Sequence, residues 1–185
     1  MRKIAIASFM AAVLAMSAAL VAQDAPGIPA PTKEHEWLHQ LAGPWEADLE
    51  VWAGPGKPPL KLKSTENIRR IGGFWILSEG EVTPPGMPFA RALTLGYDPQ
   101  KKKYAGTWVD SNSTHIGKYE GSMDAAGRTL TLEGEMPSPF DPARSVPVRE
   151  VIELKSPDQK VATTSMQGED GNWITLVTIN ARRKK

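Results

Sequence analysis

Residues 45–53 read W-E-A-D-L-E-V-W-A, and apolar and acidic side chains alternate along this stretch. One side of the extended chain holds Trp45, Ala47, Leu49 and Val51, and the three acidic residues between them fall on the other side. Because successive side chains of a β-strand point to opposite faces, this period of two predicts a strand with one buried and one solvated face.

Similar strand-like runs follow along the rest of the chain. They lie at 60–71, 74–82, 89–97, 102–110, 113–123, 129–136, 146–155, 160–167 and 173–181. Turn-forming residues separate many of them, among them Gly72-Gly73, Asp98-Pro99, Ala126-Gly127, Ser156-Pro157-Asp158 and Asp170-Gly171. About ten short strands without a helical crossover predict an all-β fold. We expect an antiparallel up-and-down barrel, since closure removes the exposed edges of such a sheet.

The connections between the predicted strands alternate in length. The longer ones follow the odd-numbered strands, at 53–59, 83–88, 110–114, 137–147 and 168–172. Alternate loops of an up-and-down barrel share one end, so the long loops define a "mouth" and the tight turns a "bottom". Binding residues concentrate on loops that a rigid scaffold positions. The sequence therefore predicts that any pocket lies at the mouth.

A short helix is predicted over residues 32–42, just before the first strand. Thr32 can cap its N-terminus, and Gly43 stops it. Its apolar stripe consists of Trp37, Leu38, Leu41 and Ala42. Because this stripe leads directly into the first strand, we expect the helix to plug the bottom of the barrel.

The same helix contains the pattern H-E-x-x-H at residues 35–39, which zinc proteases use. Catalytic zinc also needs a third protein ligand, and the only other histidine is His115. His115 opens the sixth predicted strand at the mouth, roughly a barrel height of 20 Å away. A zinc–nitrogen bond spans about 2 Å. We therefore interpret the motif as a non-catalytic plug helix and predict no metal site and no cofactor.

Several segments resemble known proteins. They are E-H-E-W-L-H-Q-L-A-G-P-W (34–45), R-R-I-G-G-F-W-I-L (69–77), L-G-Y-D-P (95–99), Y-A-G-T-W-V-D-S-N-S-T (104–114) and G-x-x-D-x-x-G-x-x-L-T-L-x-G-E (121–135). In this order they resemble a bacterial family catalogued as domain of unknown function 1579, across most of residues 33–182. That family has no established activity to carry over.

A short helix that runs into Gly43-Pro44-Trp45 resembles the G-x-W start of lipocalin-like (calycin) barrels. In such barrels an arginine at the end of the last strand packs over this tryptophan. The resemblance implies that Arg182 lies across the indole of Trp45. If Val177 and Ile179 face inward, however, Arg182 faces outward and has to fold back around the strand end.

The N-terminus has the organisation of a secretory signal. Arg2 and Lys3 precede an alanine-rich apolar run, and small residues permit cleavage after Ala19 or Ala22. An uncleaved membrane anchor is the alternative, although the alanine content and the polar residues that follow favour cleavage. The predicted organisation is a signal peptide at 1–22, a linker at 23–32, the barrel at 33–182 and a basic tail at 183–185. We expect a periplasmic or secreted protein without a stable membrane anchor.

Charge and cysteine content exclude several classes. The formal net charge of +1 becomes −1 once Arg2 and Lys3 are removed, so nothing indicates a nucleic-acid partner. The chain has no cysteine, which excludes disulfides, thiolate metal ligands and a thiol nucleophile. The oligomeric state stays open.

Strand phase selects polar side chains that point into the predicted barrel. Val148, Ile152 and Leu154 bring Glu150 inward, and the outward phase of Lys118 and Glu120 turns His115 and Tyr119 inward. In the fifth strand either Tyr104, Trp108 and Asp110 or Ala105, Thr107 and Val109 face inward. A buried carboxylate needs a partner, so we expect Glu150 to meet His115, Tyr119 or an arginine. The candidate ligand-binding residues are Phe89, Trp108, Asp110, His115, Tyr119 and Glu150.

Three function classes are compatible with these residues. The first is a binding module that takes a small, largely apolar ligand at the mouth, for which haem held by His115 is a minor variant. The second is a hydrolase that uses Asp110, His115, Tyr119 and Glu150, although no nucleophile motif is present. The third is an envelope structural or interaction protein with a filled barrel. The binding module is our preferred hypothesis.

Overall fold

A computed structural model describes residues 29–52, 54, 56–82, 88–141 and 143–185, and its compact unit spans residues 31–185. The predicted signal peptide at 1–22 and most of the linker lie outside the described residues. No helix among the described residues has the length and apolar character needed to cross a membrane.

The described chain forms one α-helix and ten β-strands. The helix, α1, is Lys33–Gln40. The strands are β1 Gly43–Val51, β2 Leu60–Ile71, β3 Trp75–Val82, β4 Phe89–Asp98, β5 Lys103–Asp110, β6 Gly117–Met123, β7 Thr129–Pro137, β8 Ser145–Ser156, β9 Gln159–Gln167 and β10 Trp173–Arg183. The sixth strand begins at Gly117 and not at 113, while the last extends to Arg183. The expected basic tail therefore begins one residue too early.

Every strand pairs antiparallel with its neighbour in the sequence, and β1 pairs with β10. The result is a closed, ten-stranded, lipocalin-like up-and-down barrel, which confirms the predicted fold class. The first strand has the expected phase, because Trp45 and Leu49 are buried while Glu46 and Glu50 are exposed. The first and last strands close the barrel, with β1 paired to β10 from Trp45 to Val51.

The structure resolves the two strands whose phase was open. In β5 Tyr104 is buried and Val109 is exposed, so Tyr104 and Trp108 belong to the inner face. In β10 the register shifts between Thr175 and Val177. A bulge of this kind reverses the alternation, so Trp173 faces outward and Ile179 inward.

Helix α1 closes the bottom of the barrel, as predicted. Leu38 is fully buried, and the ring of Trp37 lies edge-on to Tyr104 with centroids 6.2 Å apart. Both ring nitrogens of His35 are engaged: Nδ1 accepts from the Thr32 amide at 2.9 Å, and Nε2 donates to the Tyr97 carbonyl at 3.1 Å. His35 is therefore a buried structural residue that joins the helix to β4.

The contact between arginine and Trp45 exists, but its residue is Arg183 and not Arg182. The guanidinium carbon of Arg183 lies 4.3 Å from the centroid of the indole ring. The reason is the register, in which Trp45 pairs with Arg183 whereas Arg182 pairs with Glu46 on the outer face. Arg183 also donates to the carbonyls of Ala42 (2.6 Å) and Gln40 (2.9 Å), which end the helix.

Candidate functional site

A cavity of about 660 Å³ lies inside the barrel at the mouth. Its apolar wall consists of Leu49, Val51, Leu60, Leu62, Val82, Phe89, Trp108, Met136, Val177 and Ile179. Its polar lining includes Arg91, Asn112, Tyr119, Glu150 and Thr164. This volume and composition are typical of sites for small molecules, in which a few polar groups orient a mostly apolar occupant. The position agrees with the prediction from loop length.

Side chains fill the barrel below this cavity, whereas space remains in its upper half. Leu95, Leu130 and Leu132 are fully buried in the lower half, where the helix adds Leu38. Higher up, Gly80 leaves room for a long side chain from the neighbouring strand. A Cβ atom at Gly80 would lie 3.0 Å from Nε of Arg91, so the absence of a side chain there admits the guanidinium.

A buried polar cluster lies below the cavity, and we call it the floor cluster: Glu66, Ser78, Arg91 and Lys160, of which Arg91 lines the cavity itself. Oε1 of Glu66 accepts from Ser78 Oγ at 2.5 Å and from Arg91 at 2.9 Å. Oε2 of Glu66 accepts from Lys160 Nζ. Arg91 also donates to Ser78 Oγ at 3.1 Å, and its guanidinium lies 5.1 Å from the Trp108 ring centroid.

The electrostatics of the floor cluster depend on Glu66. Burial alone would raise the pKa of this carboxyl, but the charges of Lys160 and Arg91, with hydrogen bonds from Lys160 and Ser78, lower the pKa of Glu66 to about 2. Burial lowers the pKa of Lys160, against the attraction of Glu66. Glu66 is therefore ionised at neutral pH. Among the described residues it is the only ion-pair partner of both Arg91 and Lys160.

Glu150 lies beside the floor cluster with a different environment. Its Oε2 accepts a hydrogen bond from Thr164 Oγ1, and no ion pair to Glu150 occurs within the described residues. Burial raises the pKa of Glu150, more than the neighbouring Arg91 and Lys160 lower it. Burial and the nearby Glu150 also raise the pKa of Tyr119. Both side chains line the cavity, and burial favours the protonated, hydrogen-bonding form of each.

Of the six candidate ligand-binding residues, four line the cavity and two do not. Phe89, Trp108, Tyr119 and Glu150 line the cavity. Asp110 instead accepts a hydrogen bond from Trp108 Nε1 at 3.0 Å and one from the Asn112 amide at 2.9 Å. Asp110 therefore orients the indole from above.

His115 does not face the barrel interior, contrary to the prediction. It is exposed and lies before β6, because that strand begins only at Gly117. The expected partner of Glu150 was also wrong: the hydrogen bond comes from Thr164 on β9, which pairs with Glu150 in the register. The proposed hydrolytic group of Asp110, His115, Tyr119 and Glu150 is therefore not assembled.

The floor cluster was missed from the sequence, although part of its signal was present. Glu66 has the same phase as Leu62 and Ile68, and Arg91 has the same phase as Phe89 and Leu93. A period of two that places two charges on an apolar face indicates buried charges that need each other. Lys160 carries a weaker signal, since the apolar Val161 beside it faces outward.

The H-E-x-x-H segment is not part of a set of metal ligands among the described residues. In the part of the chain that the structure describes, no three residues of the types His, Cys, Asp or Glu are grouped so as to hold a metal ion. His35 uses both ring nitrogens, while Nε2 of His39 is buried without a hydrogen-bond partner. Burial lowers the pKa of His39, with a further contribution from Arg70, so its ring is neutral at neutral pH.

Fold and cavity together define a lipocalin-like β-barrel with a partly polar interior. The chain belongs to the protein family of unknown function DUF1579, whose family model matches residues 30–183. No curated relative matches the sequence.

Two solved structures are similar to this chain at low sequence identity. The crystal structure of Rv2717c from M. tuberculosis is 11% identical, with a TM-score of 0.62, and the match covers 84% of this chain and 99% of that one. A structure of EF1p2_mFAP2b bound to DFHBI is 13% identical, with a TM-score of 0.43, covering 82% of this chain and 99% of that one. At this identity the likeness to Rv2717c concerns the fold alone.

Proposed function

We propose that this protein binds a small, largely apolar molecule in the cavity at the mouth of its barrel. The observation that carries the proposal is the cavity itself: about 660 Å³, with a mostly apolar wall and a few polar groups. Burial of an apolar ligand surface contributes roughly 25 cal/mol per Å² before the costs of association. A filled barrel would have no such space, and the hydrolytic group is not assembled.

Native mass spectrometry tests this proposal on protein purified gently from its own host. We expect an adduct of defined mass that denaturation removes. The variant Val51→Trp should lose this adduct, because its indole fills part of the cavity that Val51 lines. Glu50→Trp is the matched control, because the neighbouring side chain faces outward and is exposed. A protein that carries no adduct and takes up no apolar probe, such as dodecanol, would contradict the proposal.

We also propose that the barrel acts in the periplasm or outside the cell. The support is the alanine-rich apolar run after Arg2 and Lys3, which has the organisation of a cleavable signal. Mass spectrometry of the protein from its host should find a mature N-terminus after Ala19 or Ala22. A chain that retains Arg2 and Lys3 in the cytoplasmic fraction would contradict this.

A further inference from the structure

The floor cluster contains more positive than negative charge. Arg91 and Lys160 both pair with Glu66, which is the only ion-pair partner of either cation among the described residues. Two cations and one carboxylate leave a surplus of one positive charge in a buried environment. Such a charge is costly unless a counter-charge reaches it.

Glu150 is the side chain that could supply this counter-charge, but its geometry does not. Its only hydrogen-bond donor among the described residues is the Thr164 hydroxyl, a neutral group, and it forms no ion pair with Arg91 or Lys160. A buried carboxyl without an ionic partner favours its protonated form. Its burial accordingly raises the pKa of Glu150.

The surplus charge is accessible from the cavity through Arg91. This side chain lines the cavity and lies beside Gly80, with Glu66 and Ser78 engaging its two terminal nitrogens from below. A guanidinium carries five N–H donors, so Arg91 retains donors after these two bonds. Tyr119 and Glu150 line the same cavity, so the Tyr119 hydroxyl and the protonated form of the Glu150 carboxyl are further donors there.

Resting on the function proposed above, we propose that the ligand carries a carboxylate, which lies on the cavity floor against Arg91 and offsets the surplus charge of the floor cluster. Its apolar part then extends toward the mouth along the wall formed by Leu62, Phe89 and Val177. Tyr119 and Glu150 donate hydrogen bonds to the same carboxylate. Charge-assisted bonds of this kind fix the orientation of an otherwise apolar ligand.

Three probes with the same tail test the inference: dodecanoate, dodecan-1-ol and dodecylamine. Each is titrated calorimetrically into the mature protein after its lipids have been removed. We expect dodecanoate to bind about tenfold or more tightly than the alcohol. We expect the amine to bind most weakly. Equal affinity for acid and alcohol, or a preference for the amine, would overturn this inference and leave the proposed binding function standing. Binding of none of the three would overturn both.

Variants identify the groups responsible. Arg91→Gln should remove the preference for dodecanoate over dodecanol, whereas Arg91→Lys should retain part of it. Arg149→Gln is the matched control, because Arg149 stacks on Trp173 outside the barrel. If Arg91→Gln does not fold, Arg91→Lys decides alone. A preference and an affinity that are both unchanged in Arg91→Lys would contradict the role of the Arg91 guanidinium.

The pH dependence provides a second readout that a merely structural role would not move. Glu150 is surrounded by Glu66 from β2, Arg91 from β4, Tyr119 from β6 and Lys160 and Thr164 from β9. Ionisation of Glu150 at rising pH removes the surplus charge, so dodecanoate should then bind more weakly while dodecanol is unaffected. Glu150→Gln should abolish this pH dependence. A pH dependence that persists in Glu150→Gln would overturn the role given to Glu150.

Discussion

At the scale of single residues, Glu66 is the centre of the molecule's buried electrostatics. Its carboxylate accepts hydrogen bonds from Ser78, Arg91 and Lys160, each from a different strand. The gain from these contacts offsets part of the cost of removing three charges from water. Glu66 is therefore the residue whose loss would leave two cations buried without a partner.

We expect Glu66→Gln to lower the free energy of unfolding by about 3–5 kcal/mol, the usual cost of removing one partner of a buried ionic pair. Urea denaturation at neutral pH measures the change. Asp48→Asn is the control, because Asp48 pairs with Lys63 on the solvated outer face and its loss should have little effect. A Glu66→Gln protein as stable as the unsubstituted one would contradict the assigned role.

The same carboxylate should produce a defined acid sensitivity. The pKa of Glu66 is lowered from 4.5 in the unfolded chain to about 2 in the fold. A depressed carboxyl pKa contributes stability that is fully present above 4.5 and is lost as the pH falls toward 2. Stability measured across this interval should fall less steeply in Glu66→Gln. An identical slope would show that other carboxylates dominate.

At the scale of elements, α1 and the end of β10 are joined through Trp45. The indole nitrogen donates to the Leu41 carbonyl at 2.8 Å, while Arg183 stacks on the ring and binds the carbonyls of Ala42 and Gln40. Arg183 thus satisfies carbonyls that the end of a helix leaves without intrahelical partners. Removing either side chain loosens the contact between the plug helix and the barrel seam.

Trp45→Ala should cost about 3–5 kcal/mol, because it removes a buried ring and leaves a cavity. Arg183→Ala should cost about 1.5–3 kcal/mol through the lost charge-assisted hydrogen bonds. Arg182→Ala is the control and should change stability little, since Arg182 faces outward at the neighbouring position. Chemical denaturation of the three variants gives the order. Equal effects of Arg182→Ala and Arg183→Ala would contradict the register argument.

The variant His39→Ala distinguishes a metal-binding role of helix α1 from a structural role. We expect His39→Ala to change stability modestly, because Nε2 of His39 has no hydrogen-bond partner to lose. We expect the metal content to be unaffected. Elemental analysis of protein purified without added metal checks this. Stoichiometric zinc that disappears in His39→Ala would overturn our interpretation of the motif.

At the scale of the whole molecule, closure between β1 and β10 gives every strand two partners. Closure removes the unpaired edges that otherwise template aggregation. It also forms the enclosed space in which the cavity and the floor cluster lie. Both therefore depend on the last strand, although most of their residues come from earlier ones.

Deletion of residues 173–185 should abolish the monomeric fold, because it leaves β1 and β9 with exposed edges and removes Val177 and Ile179 from the cavity wall. Size-exclusion chromatography and circular dichroism of the shortened protein test this. A deletion of Lys185 alone should behave as the full chain does. A stable, soluble nine-stranded monomer would show that closure is not required.

The sequence by itself determined the elements, because the alternation of apolar and polar residues is a local property. It can be recognised in one segment without knowing which strands pair with it. Alternating runs such as that from Trp45 to Val51, together with the turn residues between them, were sufficient for the ten strands, and the lengths of the loops indicated the end at which the cavity lies. The plug helix followed equally from local signals. Glu150 was placed inside for the same reason, since Val148 and Ile152 share its phase.

Only the tertiary structure decided which side chains meet. The register between β1 and β10 puts Arg183, and not Arg182, at the tryptophan, while the bulge between Thr175 and Val177 turns Trp173 outward. The late start of β6 left His115 outside the barrel. The floor cluster joins Glu66 to Lys160, 94 residues apart, across the interior. Such pairs depend on register and closure, which no local pattern encodes, and this is why the fold was predictable and the centre of the site was not.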